Sequence, residues 1–230
     1  MRAGQMKGKE TEAKFLIQST SIQRKILSLR TLGPFHLIGC QSERQQNIYW
    51  DTQDLRLRRA RAALKMRWVG SRTEVTFKRE IAYRNGISDR VEITVQVPLG
   101  QRSRIFKSSR LIDPARPIEP IRLARKIAGS LSLQKVLTLR TFRRKLLFAC
   151  GRQRIELDLD RVVVQKGSKS VAIHHEVELE NLNASEDLFR EALKGLMGQF
   201  GRGLRSSRIP KYEIGLRLLK SMERNKGSGV

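Results

Sequence analysis

The sequence predicts an α+β fold: an antiparallel sheet with helices packed on its apolar face and a charged opposite face, which is wet in an open sheet and turned inward if the sheet is closed or nearly closed into a barrel. Three observations predict it. Several strand-like stretches alternate apolar with charged residues, and their charged side carries both signs. Residues at i, i+2 and i+4 line one face of a strand, so each stretch has an oily side and an ionic side. The few helical stretches each have an apolar side to set against a sheet. The 230 residues can bury a sizeable core and show neither a tandem repeat nor a clear domain boundary.

In chain order, Lys9 to Ile17 sets Glu10, Glu12 and Lys14 against Ala13, Phe15 and Ile17. Ser19 to Leu32 reads as a helix, capped by Ser19 or Ser21 and stopped by Gly33-Pro34. Phe35 to Asp51 is a long irregular strand, after which Asp51 or Thr52 can cap a short basic turn over Asp54 to Ala60. Alternation then returns. Lys65 and Arg67 oppose Leu64, Met66 and Trp68; Glu74, Thr76 and Lys78 oppose Val75 and Phe77. Beyond the Asn85-Gly86 turn, Arg90, Glu92 and Thr94 oppose Val91, Ile93, Val95 and Val97.

Residues 98–117 form a basic loop rich in Ser, Pro and Gly, and Ile118 to Ala128 a short helix ended by Gly129. Val136 to Phe148 carries Thr138, Arg140, Phe142 and Arg144 on one parity, with Arg140 and Arg144 assigned to the charged face. Glu156, Asp158 and Asp160 oppose Ile155, Leu157 and Leu159; Glu176, Glu178 and Glu180 oppose His175, Val177 and Leu179. Ser185 caps a helix to Phe200, with Glu186 and Asp187 in its first turn. A basic linker over 202–208, a last helix from Tyr212 to Met222 and a frayed tail over 223–230 complete the chain.

Lys and Arg number 47 against 22 Asp and Glu, a net charge of +25. Such a surface attracts polyanions without saying which. Cys40 and Cys150 read as two free, buried thiols of a reducing compartment. No apolar run approaches the roughly 20 residues that span a membrane, and Met1 to Lys9 lacks the apolar core of a signal peptide. The expectation is a soluble cytoplasmic protein. A barrel that turns these charges inward cannot have a dry core and must hold water, ions and an anionic ligand. Clustered carboxylates need a cation, and clustered Arg and Lys an anion. A hydrated Mg²⁺ or Mn²⁺ carrying a phosphate chain meets both needs.

The ordered set Glu10-x-Glu12-x-Lys14, Tyr49-Trp50-Asp51-Thr52, Leu64-Lys65-Met66-Arg67, Thr76-Phe77-Lys78, Arg90-Val91-Glu92, Glu176-Val177-Glu178 and Pro210-Lys211-Tyr212 resembles the CYTH family of triphosphate tunnel metalloenzymes over about residues 8 to 222. The resemblance implies one domain, an antiparallel tunnel of about eight strands with helices outside, and a divalent-cation-dependent triphosphatase. It implies metal ligation by Glu10, Glu12, Glu176 and Glu178. It implies phosphate binding by Lys14, Lys65, Arg67, Lys78, Arg90, Arg140 and Lys211, with Arg144 beside Arg140. It implies catalytic roles for Lys14, Glu92 and Asp158, with Asp160 a competing alignment for the last. Lys65 stands where Arg is common in the family, and Pro210 where Ser is usual.

Inorganic triphosphate is the expected substrate. The alternatives are an adenylate cyclase of class IV type on the same fold, which needs an adenine pocket, and a non-catalytic module binding polyphosphate or RNA. No G-x-x-x-x-G-K loop is present, which argues against a P-loop NTPase. Expected partners are a triphosphate or nucleotide in the tunnel and no membrane. The basic exterior, through Arg102, Arg104, Lys107, Arg110 and Arg116, suits polyphosphate or RNA, and a homodimer is compatible with the sequence.

Overall fold

A strand with one oily and one ionic side can hide both only if its sheet bends into a ring, and in the computed structural model the ring closes. The structure describes residues 5–98, 118–166 and 169–227. Eight of its strands form the ring: β1 (Gln5–Ile17), β3 (Phe35–Asp51), β4 (Ala62–Val69), β5 (Arg72–Arg84), β6 (Ile87–Gln96), β7 (Gln134–Cys150), β8 (Gln153–Lys166) and β9 (Lys169–Asn181). Their order is β1-β6-β5-β4-β3-β7-β8-β9, and β9 pairs back onto β1 from Thr11↔Asn181 to Leu16↔Glu176. All these pairings are antiparallel. Two short strands extend the sheet: β2 (Thr31–Leu32) on β3 and β10 (Leu204–Ser206) on β1.

Three helices cover the outer face. Helix α1 (Thr20–Leu27) starts where the Ser19 hydroxyl accepts from the Ile22 amide, and α4 (Glu186–Phe200) where Ser185 accepts from Leu188. Both pack on Phe15, Leu146, Phe148, Leu157, Leu159, Val177 and Leu179, the oily parity of four strands. Fully burying a side chain of this size contributes about 1.5–3 kcal/mol, and Phe148, Leu157 and Val177 are completely buried. Helix α3 (Glu119–Ala128) sets Ile121, Ala124 and Ala128 on Leu64, Met66, Val75 and Phe77.

The short helix α2 (Arg56–Arg59) hangs from Asp51, whose Oδ1 accepts from the Thr52 and Leu57 amides and whose Oδ2 accepts from Arg58. Helix α5 (Lys211–Gly227) closes one end of the barrel. There the inward side of β7 and β8 changes from charged to apolar, and Tyr212 and Leu216 pack on Leu137, Leu139, Val162 and Val164.

Several expectations need correction. The first helix ends at Leu27, because Thr31–Leu32 pair with β3 instead. The linker after α4 contains a 3₁₀ turn, Gly201–Gly203, and β10. The last helix runs through Gly227, so residues 223–227 are helical. Cys40 is exposed and Cys150 half-buried, and both are free. The expected basic patch over 102–116 lies outside the described residues. Among the described residues no helix is long and apolar enough to cross a membrane.

Candidate functional site

The barrel encloses a cavity of about 730 Å³ lined mainly by ionic side chains. Register decides which charges meet. On β1 and β9, Glu12 stands opposite Glu180 and Lys14 opposite Glu178. Across β8 and β9, Glu156 faces Glu180, Asp158 faces Glu178 and Asp160 faces Glu176. Like charges directly opposite one another destabilise a sheet, so this ladder requires cations.

The carboxylates fall into two groups whose oxygens lie within 4.8 Å of one another: Asp160, Glu176 and Glu178, and Glu156, Asp158 and Glu180. The chain's own cations neutralise the first. Lys211 Nζ lies 3.0 Å from Asp160 and 2.6 Å from Glu178 and also contacts Glu176. Arg143 donates to both oxygens of Asp160 at 2.8 and 2.7 Å and to Glu178 at 3.1 Å. Burial alone would push Glu178 up, but Lys211, Lys14 and Arg143 hold it well below the usual carboxylate range.

In the first group both oxygens of Glu176 still accept no hydrogen bond, and the second group has fewer cations. Lys145 reaches Glu156 at 2.8 Å and Arg143 contacts one oxygen of Asp158, while Asp158 Oδ1 accepts no hydrogen bond. Burial, reinforced by Asp160 and Glu156, raises Asp158 to about 7 against the pull of Arg143. Burial and the charge of Glu10 raise Glu180 to about 8. An oxygen-only donor set with an orphaned buried oxygen fits a hard divalent cation.

The opposite wall has the reverse problem. Strand β4 lies four strands from β9 in either direction round the ring, so Lys65 and Arg67 face the carboxylates across the tunnel. Arg67 donates to Asn47 Oδ1 at 3.1 Å. Among the described residues neither Lys65 nor Arg67 pairs with a carboxylate within 4.0 Å. Burial, with Arg67 and Lys78 adding repulsion, pushes the Lys65 ammonium well below its ordinary value. Between the walls, Lys78 bridges Glu10 at 2.7 Å and Glu92 at 2.6 Å, and Arg90 contacts Glu12.

Of the residues the sequence nominates, Glu10, Glu12, Lys14, Lys65, Arg67, Lys78, Arg90, Glu92, Asp158, Glu176, Glu178 and Lys211 meet in or beside this cavity. Glu12 lies close enough to Glu178 for that charge to help burial raise its pKa. Glu10 and Glu12 are engaged with Lys78 and Arg90, and neither belongs to either group of three. Arg140 and Arg144 do not join the site: both are exposed on the outer face. The inward residues of that strand are Thr141, Arg143 and Lys145. Glu156 and Glu180, which the sequence places on the charged parity of their strands without a site role, also line the cavity. In the sequence Asp160 is an alternative to Asp158, whereas both are buried in the tunnel. The signal for β7 lies in the parity of Leu146 and Phe148: continued back along the strand, it sends Arg144, Phe142 and Arg140 to the oily side.

A family model described as the CYTH domain matches residues 8–205. The chain belongs to the CYTH family. Three solved structures share the CYTH fold with it. HpAC1 from Hippeastrum, described as a candidate adenylyl cyclase with a dominant triphosphatase activity, is 20% identical, with 90% of this chain and 95% of that one covered and a TM-score of 0.64. A candidate adenylate cyclase, bh2851, from Bacillus halodurans is 21% identical, with 89% and 94% covered and a TM-score of 0.60. PH1819 from Pyrococcus horikoshii is 16% identical, with 90% and 98% covered and a TM-score of 0.51. A comparison with curated proteins finds no match. In this CYTH barrel Pro210 directly precedes α5, so Lys211 enters the tunnel as the first residue of that helix.

Proposed function

We propose that this CYTH protein is a divalent-metal-dependent phosphohydrolase that removes the terminal phosphate of a triphosphate, with inorganic triphosphate as the preferred substrate. One observation carries the reading: a wall of crowded carboxylates on β8 and β9 faces, inside one cavity, cations on β4 that have no carboxylate partner among the described residues. A metal–phosphate chain has the complementary polarity.

Glu176 and Glu178, with Glu10 and Glu12 beside them, would hold Mg²⁺ or Mn²⁺; Asp160, or the group of Glu156, Asp158 and Glu180, could contribute further oxygens. The cation would supply Lewis-acid polarisation of the phosphoryl oxygens. Lys65, Arg67, Lys78 and Arg90 bind and orient the phosphate chain and neutralise charge that develops on it. Lys14, 3.9 Å from Glu176 and from Glu178, sits where it can hold the terminal phosphate against the carboxylate wall. Glu92, anchored by Lys78 and Thr94, keeps that lysine in place. Asp158, raised to about 7, is suited to hold or release a proton at its unbonded Oδ1. Phosphoryl transfer asks little covalent chemistry of the protein, so positioning and electrostatics carry the rate.

The lining also favours a substrate without a base. Its two aromatic rings, Tyr49 and Tyr212, stack on each other with centroids 5.2 Å apart, which leaves neither as a free platform for adenine. The triphosphatase activity described for HpAC1, a fold relative, is consistent with this choice. The test is a panel of inorganic triphosphate, ATP, thiamine triphosphate and triphosphate-ended RNA with Mg²⁺ and with Mn²⁺. Inorganic triphosphate should give the highest kcat/KM. A preference for ATP with cyclic AMP as product would assign the protein to the cyclases, and no turnover of any of the four would leave a binding module.

A further inference from the structure

Helices α1 and α4 cover the outer face of β3, β7, β8 and β9 only at one end, where Leu146, Leu159 and Val177 lie beneath them. Beyond Leu146 no described helix covers Arg44, Phe142 and Arg140. The sheet surface there is basic and built around one aromatic ring. Arg44, Phe142 and Arg161 are direct cross-strand neighbours on three adjacent strands. The Phe142 ring is 37% exposed, with the Arg161 guanidinium 5.4 Å and the Arg44 guanidinium 5.9 Å from its centroid. Arg140 and Arg144 flank Phe142 along the same strand, both exposed. The carboxylates of these strands have the opposite parity: Glu43 and Asp160 point into the tunnel. Among the described residues of these three strands, no carboxylate shares the face of the patch.

We propose that this face binds single-stranded RNA. Four arginines with no facing carboxylate attract a phosphate backbone. A polyphosphate chain would use the charge but leave the ring idle. An unpaired base uses both, stacking on a guanidinium plane that the Phe142 ring holds by its cation–π contact, or displacing one guanidinium to reach the ring itself. A duplex offers no free base face to the outer surface of the barrel. Gln46, exposed and paired in register with Arg140, places an amide donor and acceptor where a 2′-hydroxyl can meet it. The patch lies on the opposite side of the sheet from the tunnel, so it stands independently of the activity proposed above.

The probe is a labelled twelve-nucleotide RNA with a 5′-hydroxyl end, which offers the tunnel no triphosphate, and binding is read by fluorescence anisotropy on the full chain. With four phosphate contacts the affinity should fall about fifty-fold between 50 and 200 mM salt, the slope expected for a single strand. Phe142→Leu should weaken binding about tenfold with the salt slope unchanged, since base stacking is lost and charge is not. Arg140→Gln should reduce the slope by about 0.7. Phe142→Leu should leave the melting curve and triphosphate hydrolysis unchanged. The deoxy oligomer and a polyphosphate of equal charge should both compete less well. Unaltered RNA binding in Phe142→Leu, equal competition by polyphosphate or by the deoxy oligomer, or no binding at 50 mM salt would each overturn the proposal.

Discussion

The two facing walls of the tunnel solve opposite electrostatic problems, and they solve them to different degrees. On β8 and β9, carboxylates stand directly across from carboxylates, and Arg143, Lys211, Lys14 and Lys145 are spread among them. On β4, Lys65 and Arg67 stand two apart, with Asn47 alone as hydrogen-bond partner to Arg67 among the described residues. Burying an unpaired charge costs several kcal/mol after relaxation; on β4 the buried Lys65 has no carboxylate within 4.0 Å among the described residues, while on the acidic wall buried oxygens of Asp158 and Glu176 accept no hydrogen bond. The contrast suggests a division of roles: cations on the acidic wall neutralise its carboxylates, and under the proposed function cations on the basic wall would receive the anionic substrate.

The sharpest way to break that contrast is to remove a structural cation. Arg143→Gln leaves Asp158 and Asp160 without their guanidinium, and breaking a buried pair of this kind costs roughly 3–5 kcal/mol. A large drop in Tm is expected. Arg144→Gln, one residue along but outside, should stay within about 0.5 kcal/mol of the parent. A larger drop in Tm for Arg144→Gln than for Arg143→Gln would mean that β7 has the other parity.

Next in size, Glu12→Gln and Glu178→Gln keep side-chain shape but remove an anionic oxygen ligand. Each should lower kcat for inorganic triphosphate by at least roughly a hundredfold, the scale at which losing a key electrostatic group shows in rates, and should shift the metal titration to higher concentration. If both serve one ion, the double variant should cost much less than the product of the singles. Near-normal rates in both single variants would falsify the shared-metal reading.

Smaller effects belong to the basic wall. Arg67→Gln should raise KM about tenfold while Tm holds or rises, because a charge-assisted bond to substrate is lost and an uncompensated charge is removed. A fall in Tm would instead make Arg67 structural. The smallest effect is a fraction of a proton. Burial holds Lys65 well below its ordinary pKa, and a bound phosphate chain favours the charged form. Binding should therefore take up a proton, and affinity should fall as pH rises between the free and the bound pKa of Lys65. Calorimetry of a non-hydrolysable triphosphate in buffers of different ionisation enthalpy reads this uptake. Lys65→Arg, always charged, should abolish it; an unchanged uptake would place the proton elsewhere.

Strand parity alone makes most of the site legible in the sequence. Glu10, Glu12 and Lys14, or Glu176 and Glu178, sit opposite unambiguous apolar partners, and only one face of the strand can go inward. Parity misleads on β7 because Arg140, Arg143, Arg144 and Lys145 put basic residues on both sides of the strand. The true outward set there includes an exposed Phe, so hydrophobicity points the wrong way until it is anchored on Leu146 and Phe148. The choice between Asp158 and Asp160 has no answer on one strand alone: both face inward, and register with Arg143 separates them only in three dimensions. Closure of one end by α5 is invisible in the sequence for a similar reason, since Leu137, Leu139, Val162 and Val164 continue the inward parity but are oily.

The seam between β1 and β9 joins residues 11–16 to residues 176–181, and the tyrosine hydroxyl of α5 donates to Asp51 at 2.9 Å. During synthesis the first strand can pair with β6 once residues 87–96 are made, but its other edge must wait until β9 is made, and the carboxylates of β9 meet Lys211 only about thirty residues later. Until then the nascent barrel is an open, strongly cationic sheet with a free edge at β1. A chaperone or polyanion that shields that edge should speed maturation without touching the finished tunnel.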